Sequence, residues 1–284
     1  MRSIKKIHEA EYRPIADLVT YSPMPTRSLD HIDPFIFLNH HGFQTYSANN
    51  QGLPFGPHPH RGMETVTFIL EGDIMHMDSS GHESVIGPGG VQYMTAGSGL
   101  IHSEVSSAEF KKNGGDLEIL QLWLNLLSDK KMMKPSYIGL QKPEIPTFEL
   151  DGGKVKVQQL FGAWEGTKGA FEGNFPITMS TIYLGKGGKF EKSIPTSDAI
   201  FFYIVRGELK VNAQEIQFRH LVEFENNGEK IEVEASEDSI LILGNAASFK
   251  EPMVAQGPFV MNTHKQIREA YDDYQAGKFG TWTH

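Results

Sequence analysis

The chain has 284 residues, 39% of them hydrophobic, and 26 basic against 35 acidic side chains leave a net charge of −9. That length and apolar content allow one large all-β domain or two ordinary ones, while the acidic balance has the wrong sign for gripping phosphate backbones and disfavours direct nucleic-acid binding. The absence of cysteine excludes disulfides, thiolate ligands and cysteine nucleophiles, so a metal site here must use histidine and carboxylate.

The opening segment MRSIKKIHEAEY lacks the apolar run of a secretory signal, and no stretch approaches the roughly 20 apolar residues of a membrane helix. The expectation is a cytoplasmic protein that does not associate with membranes. Glycine and proline punctuate short runs of Val, Ile, Phe and Thr, the pattern of many strands and turns. In FLNHHG, His40 and His41 precede a glycine and read as a loop pair at a strand end. GPHPHRG follows at residues 56–62, where Pro59 bars a helix; in extended chain, alternate residues share a face, so His58 and His60 point the same way. Continued past His60, that face carries Glu64, Val66, Phe68 and Leu70 and reads as the inward one.

TVTFILEGDIMHMD (65–78) reads as two strands of a hairpin joined at Glu71-Gly72, with His76 and His82 exposed on either side of a Ser79-Ser80-Gly81 turn. GPGGVQYMTAGSGLIHSE (87–104) then brings His102 and Glu104, again two apart, and LEILQLWLNLL (117–127) is a longer strand. An isolated H-x-H is more often a turn or a hydrogen-bonded pair. Two such pairs on adjacent strands, however, make three imidazoles and a carboxylate, a set suited to Fe(II), Mn, Ni, Co or Zn with positions left for water or substrate.

The segment 131–150, with three prolines and little alternation, reads as a linker with a domain boundary near 140. AIFFYIVRGELKV (199–211) repeats the strand–glycine–strand pattern. Aligning Gly207 with Gly72 matches His58 to Ser193, His60 to Pro195 and Glu64 to Ala199, so no ligand survives in the second half. Helix signals concentrate at the end: Thr263 and Gln266 form a capping box before Ile267, Ala270, Tyr271 and Tyr274 at helical spacing, and Gly277 stops the helix.

HPHRGMETVTFILEG, YMTAGSGLIHSE, LQLWLNL and GPFVMNTHKQIREA span residues 58 to 270 in order, and together they resemble the pirin family of the cupin superfamily. The resemblance implies an all-β bicupin, two stacked β-barrel (jelly-roll) domains with a C-terminal α-helix: a metal-binding domain at 1–135 and a metal-free one at 136–284. It carries the metal ligands over to His58, His60, His102 and Glu104, and leaves Glu64, one position early for the usual cupin glutamate, outside the set. One divalent ion per chain is implied, Fe(II) foremost, with Mn, Ni, Co, Cu or Zn as alternatives. The activity implied is that of quercetin 2,3-dioxygenase, which opens flavonols with O2, Glu104 serving as both ligand and catalytic base. The alternative carried by the same family is a non-catalytic, redox-sensing iron protein that regulates a transcriptional or metabolic protein partner.

Overall fold

β-Branched and aromatic runs broken by turns fold as antiparallel strands throughout residues 1–283, which the computed structural model describes. The glycine turns at Gly72 and Gly207 have φ of +78° and +81°, the left-handed region that suits glycine. They are corners rather than hairpins. Met63–Glu71 lies in a seven-stranded sheet and Ile74–Asp78 in a four-stranded one, and Asp198–Arg206 and Glu208–Val211 are divided in the same way. A strand that buries one face must change sheets to close a barrel, and the two turns do this at equivalent places.

The chain divides into two compact units. One comprises residues 12–22, 36–142 and 250–284, the other residues 1–11, 23–35 and 143–249. In the first, the four-stranded sheet runs Phe55–His60, Leu100–Val105, Ile74–Asp78, Glu83–Ile86. In the second, Lys189–Ser193, Lys230–Ala235, Glu208–Val211 and Gln214–Gln217 repeat that order. Each unit also has a seven-stranded sheet, so the two-barrel, all-β architecture is that expected.

A division at 135/136 differs from these units at both ends of the chain. The segment 131–150 is not a structureless linker: Ser136–Leu140 pairs with Val91–Thr95 and completes the first unit's larger sheet. Ile4–Glu9 does the same for the second unit against His220–Phe224. Edge pairing decides this membership, since backbone groups on an open edge need partners that alternation along the sequence does not name.

The second unit's interior is packed with apolar side chains, among them Val157, Ile182, Phe202, Ile204, Leu241 and Leu243. Its counterpart of the Phe55–His60 strand turns Phe190 and Lys192 inward, opposite Val233 and Ile231. The matching positions are therefore 190 and 192, not the expected 193 and 195, and neither carries a histidine.

Helix α2 (His264–Gln275) starts at Thr263, whose side chain accepts from the Gln266 amide while Gln266 reaches back to the Thr263 amide. It belongs to the first unit and buries Ile267 and Ala270 beside Phe259, Met261 and Phe279, whereas Tyr274 stays exposed. A short helix α1 (Ala108–Asn113), not expected from the sequence, is capped by Ser107 and ended by Gly114 at φ +70°. Its signal was the Ser107-to-Gly114 frame around Phe110, its one buried residue. Ile267→Ala is expected to cost about 2–5 kcal/mol of stability. Lys265→Ala on the exposed face should stay within about 0.5 kcal/mol, and denaturant titration of both variants checks the difference.

Candidate metal centre

His58 and His60 alternate on one strand, and His102 sits directly opposite His58 on its antiparallel neighbour. Past that pair the register shifts, so Glu104 lies opposite Phe55 and three residues of one strand span two of the other. Ligand atoms of His58, His60 and His102 all lie within 4.8 Å of one another, the one such grouping among the described residues. The Nδ1–H of His58 donates to the Gly56 carbonyl at 2.7 Å and that of His60 to the Pro258 carbonyl at 3.1 Å. These bonds fix the tautomer and leave each Nε2 with a free lone pair.

His60 Nε2 and both ring nitrogens of His102 are buried with no hydrogen-bond partner among the described residues. Unpaired buried nitrogen is costly, about 1–3 kcal/mol each, unless something else takes the lone pair. Burial, with His58 adding to it and the Pro258 carbonyl opposing, pushes the His60 pKa down to about 3. Burial, then His60, His58 and His76, hold His102 well below its ordinary range. Both are neutral at neutral pH. Converging neutral imidazoles with unused lone pairs are the donor set that a first-row divalent ion accepts, so the residues present fit such an ion.

Glu104 is 3% exposed and falls outside that tight grouping, but it faces the same cavity. Thr67 Oγ1 donates to its Oε1 at 3.2 Å and Gln121 Nε2 donates to its Oε2. Trp123 Nε1 in turn donates to Gln121 Oε1 at 3.0 Å. The cavity has a volume of about 290 Å³, with aromatic walls from Phe37, Phe55 and Trp123. Trp123 stacks on Phe37 at 4.5 Å and meets His60 edge-on at 5.0 Å.

Three expectations change. The face of Met63–Glu71 that meets the site carries Thr67, not Glu64, whose Oε1 accepts from Tyr93 and Thr95. The reason is the break at Arg61-Gly62, where Gly62 at φ +78° interrupts the alternation begun at His60. His40 and His41 lie within the Phe35–Tyr46 strand and are buried: His40 Nε2 meets Glu118 at 3.0 Å, and His41 lines the cavity. His76 is also buried, its Nε2 3.1 Å from Asp78 and its ring stacked on Tyr137 at 3.7 Å; of the pair only His82 is exposed. Gln121, Trp123 and the Pro258 carbonyl were not singled out in the sequence. The alternation of Gln121 and Trp123 in QLW was the available signal for two of them. A larger depression of about 610 Å³ on the second unit is lined by charged residues such as Lys189, Glu191 and Glu232 and has no histidine in its wall.

The family described as Pirin matches residues 17–124, and the Pirin C-terminal cupin domain matches residues 179–280. Human pirin is 34% identical over 260 residues, covering 89% of this chain and 84% of its own. A crystal structure of quercetin 2,3-dioxygenase from Acinetobacter baumannii superposes with a TM-score of 0.91 at 31% identity, covering 99% of each chain. A bacterial pirin from Escherichia coli in complex with nickel(II) shares the fold, with a TM-score of 0.68 at 20% identity over 86% of this chain and 99% of that one.

No helix among the described residues is long and apolar enough to cross a membrane. For the metal-free protein, the buried histidines set a pH dependence. His41 and His60 are held near 3, by burial first and a neighbouring histidine second, against an ordinary 6.5. Between those values the unfolded chain binds the protons and the folded one does not, so stability is full above about 6.5 and falls as pH drops toward 3. Thermal melts of metal-free protein should show this decline, with a limiting slope of about 1.4 kcal/mol per pH unit for each such histidine.

Proposed function

The chain belongs to the pirin family, and on that premise we propose that its cavity is the active site of a metal-dependent dioxygenase of quercetin 2,3-dioxygenase type, acting on a flavonol with O2. The observation that carries this reading is the convergence of His58, His60 and His102 at a cavity whose wall includes His58, His60, the Glu104 carboxylate and aromatic rings. Its volume of about 290 Å³ is at the low end for small-molecule sites, which suits a flat aromatic molecule. The likeness to the A. baumannii quercetin 2,3-dioxygenase over the full chain supports the same reading.

His58, His60 and His102 would hold the ion, with Glu104 as fourth ligand and Fe(II) as the foremost choice. Nickel(II) in the E. coli pirin accords with a divalent ion here. When bound, the ion supplies Lewis acidity toward the substrate hydroxyl and a redox partner for O2. Glu104 takes the proton of that hydroxyl. Thr67 and Gln121 both donate to the carboxylate and fix its direction, and Trp123 fixes Gln121 in turn. Phe37, Phe55 and Trp123 offer ring faces against which a planar substrate packs.

Elemental analysis should find about one metal ion per chain, as a single His/carboxylate site requires, and the His58→Ala, His60→Ala double variant should lose it. At saturating Fe(II), Glu104→Gln should turn over quercetin at least about tenfold more slowly while still binding it, since a general base contributes typically about 10²–10⁴ in rate. The loss of quercetin absorbance under air measures this. Wild-type turnover in the loaded variant removes Glu104 as the base. No turnover by wild type with any first-row metal transfers the assignment to a metal-dependent regulator acting through a protein partner.

A further inference from the structure

The Phe35–Tyr46 strand turns Phe37, Asn39 and His41 into the cavity at alternate positions, while His40 faces away to Glu118. His41 is 4% exposed, and its ring lies 5.1 Å from that of Phe55. Thr20 Oγ1 lies 3.3 Å from the Leu18 carbonyl and 2.9 Å from His41 Nδ1; with the single Thr20 hydroxyl hydrogen on the Leu18 carbonyl, Oγ1 accepts from His41 Nδ1–H, and this is the tautomer assigned to His41 for the subsite. That places the acceptor lone pair on Nε2, which has no hydrogen-bond partner among the described residues and is left for the cavity. Asn39 is complementary: its Oδ1 accepts from Ser22 Oγ at 2.7 Å, which leaves the amide Nδ2 as a donor without a partner among the described residues.

Neither residue belongs to the histidine grouping that fits the ion. Burial holds the His41 imidazole neutral, in keeping with an acceptor role. A polar pair of this kind, one donor and one acceptor two residues apart on a cavity wall, matches the two demands of a hydroxyl group, which accepts one hydrogen bond and donates another. Apolar side chains at 39 and 41 would serve packing equally well.

We propose that Asn39 and His41 form a second polar subsite of the cavity, which binds a hydroxyl group on the pendant aromatic ring of the flavonol, Asn39 Nδ2 donating to the hydroxyl oxygen and His41 Nε2 accepting a hydrogen bond from it. The subsite rests on the reading of the cavity as a flavonol site. It makes the protein selective for hydroxylated rings by a contact separate from the metal ligands and from Glu104.

The test uses full-length protein loaded with Zn(II), its metal content measured, and two flavonols that differ in hydroxylation: quercetin, and galangin, which lacks the two hydroxyls of the pendant ring. Binding is followed by quenching of tryptophan fluorescence. His41→Phe should weaken quercetin about tenfold and galangin less than about twofold, the loss expected for one neutral hydrogen bond with its partner left unpaired. His41→Gln, which keeps an acceptor, should recover most of the loss. Asn39→Ala gives an independent reading if His41→Phe fails to fold, with the same selective loss expected. Equal weakening of both flavonols, or none, overturns the subsite alone. Wild-type protein that holds the metal but binds neither flavonol overturns the reading of the cavity as a flavonol site, and the subsite with it.

Discussion

Three imidazoles packed with ring centroids 4.4–5.0 Å apart, with buried nitrogens left unpaired, are the constraint around which the first unit is arranged. Protonating His60 or His102 would place a charge in a dry site, so burial keeps these two neutral and in need of an electron acceptor. Holding His58 and His60 in place falls to backbone carbonyls, because a carbonyl accepts a hydrogen bond from Nδ1–H without competing for the Nε2 lone pair. Gly56 does this locally, and Pro258 does it from almost 200 residues away.

That long-range bond makes the C-terminal segment part of the site. Around it, Lys131 Nζ donates to the carbonyls of Gly62 and Val260 and to Asn125 Oδ1, at 2.7–3.0 Å. Arg61, next to His60, donates to the Ser98 carbonyl and to Asp273 of α2, and its guanidinium lies 4.6 Å from the centre of the Phe279 ring. Burial lowers the Lys131 pKa to about 8, with Glu251 opposing, so at neutral pH the ammonium is still present to tie the three acceptors together. The chain following the H-x-H motif and the chain preceding α2 are therefore held by the same cations. The docking of Ile267 and Ala270 and the orientation of His60 are two ends of one arrangement.

The second unit shows what the same strand order does without that constraint. Its interior is an apolar cluster, and Lys192, at an inward position on the strand matching Phe55–His60, rests its ammonium 3.8 Å from the centre of the Trp164 ring. Burial lowers its pKa to about 8, opposed by Glu165. A single ammonium over an aromatic face is a satisfied group, where three unpaired imidazoles are not. Strand order alone does not make a binding site; the chemistry of a few inward positions does.

Alternation, glycine corners and the Thr263/Gln266 box are local features, and they determined the strand-rich fold, the bounds of α2 and the two histidine-bearing pairs. These follow from the backbone's preference for period two or 3.6 and from a cap that spans four residues, so no distant partner is needed to read them. Only tertiary structure decided which edge strand completes which sheet, that His41 and His76 are buried, that Glu104 rests on Thr67 and Gln121, and that Pro258 orients His60. The deciding partner is a group remote in sequence, a hydrogen-bonding one in every case but His76, where it is the stacked ring of Tyr137. A bulge, or a single glycine at φ +78° such as Gly62, is enough to change which face of a strand meets it.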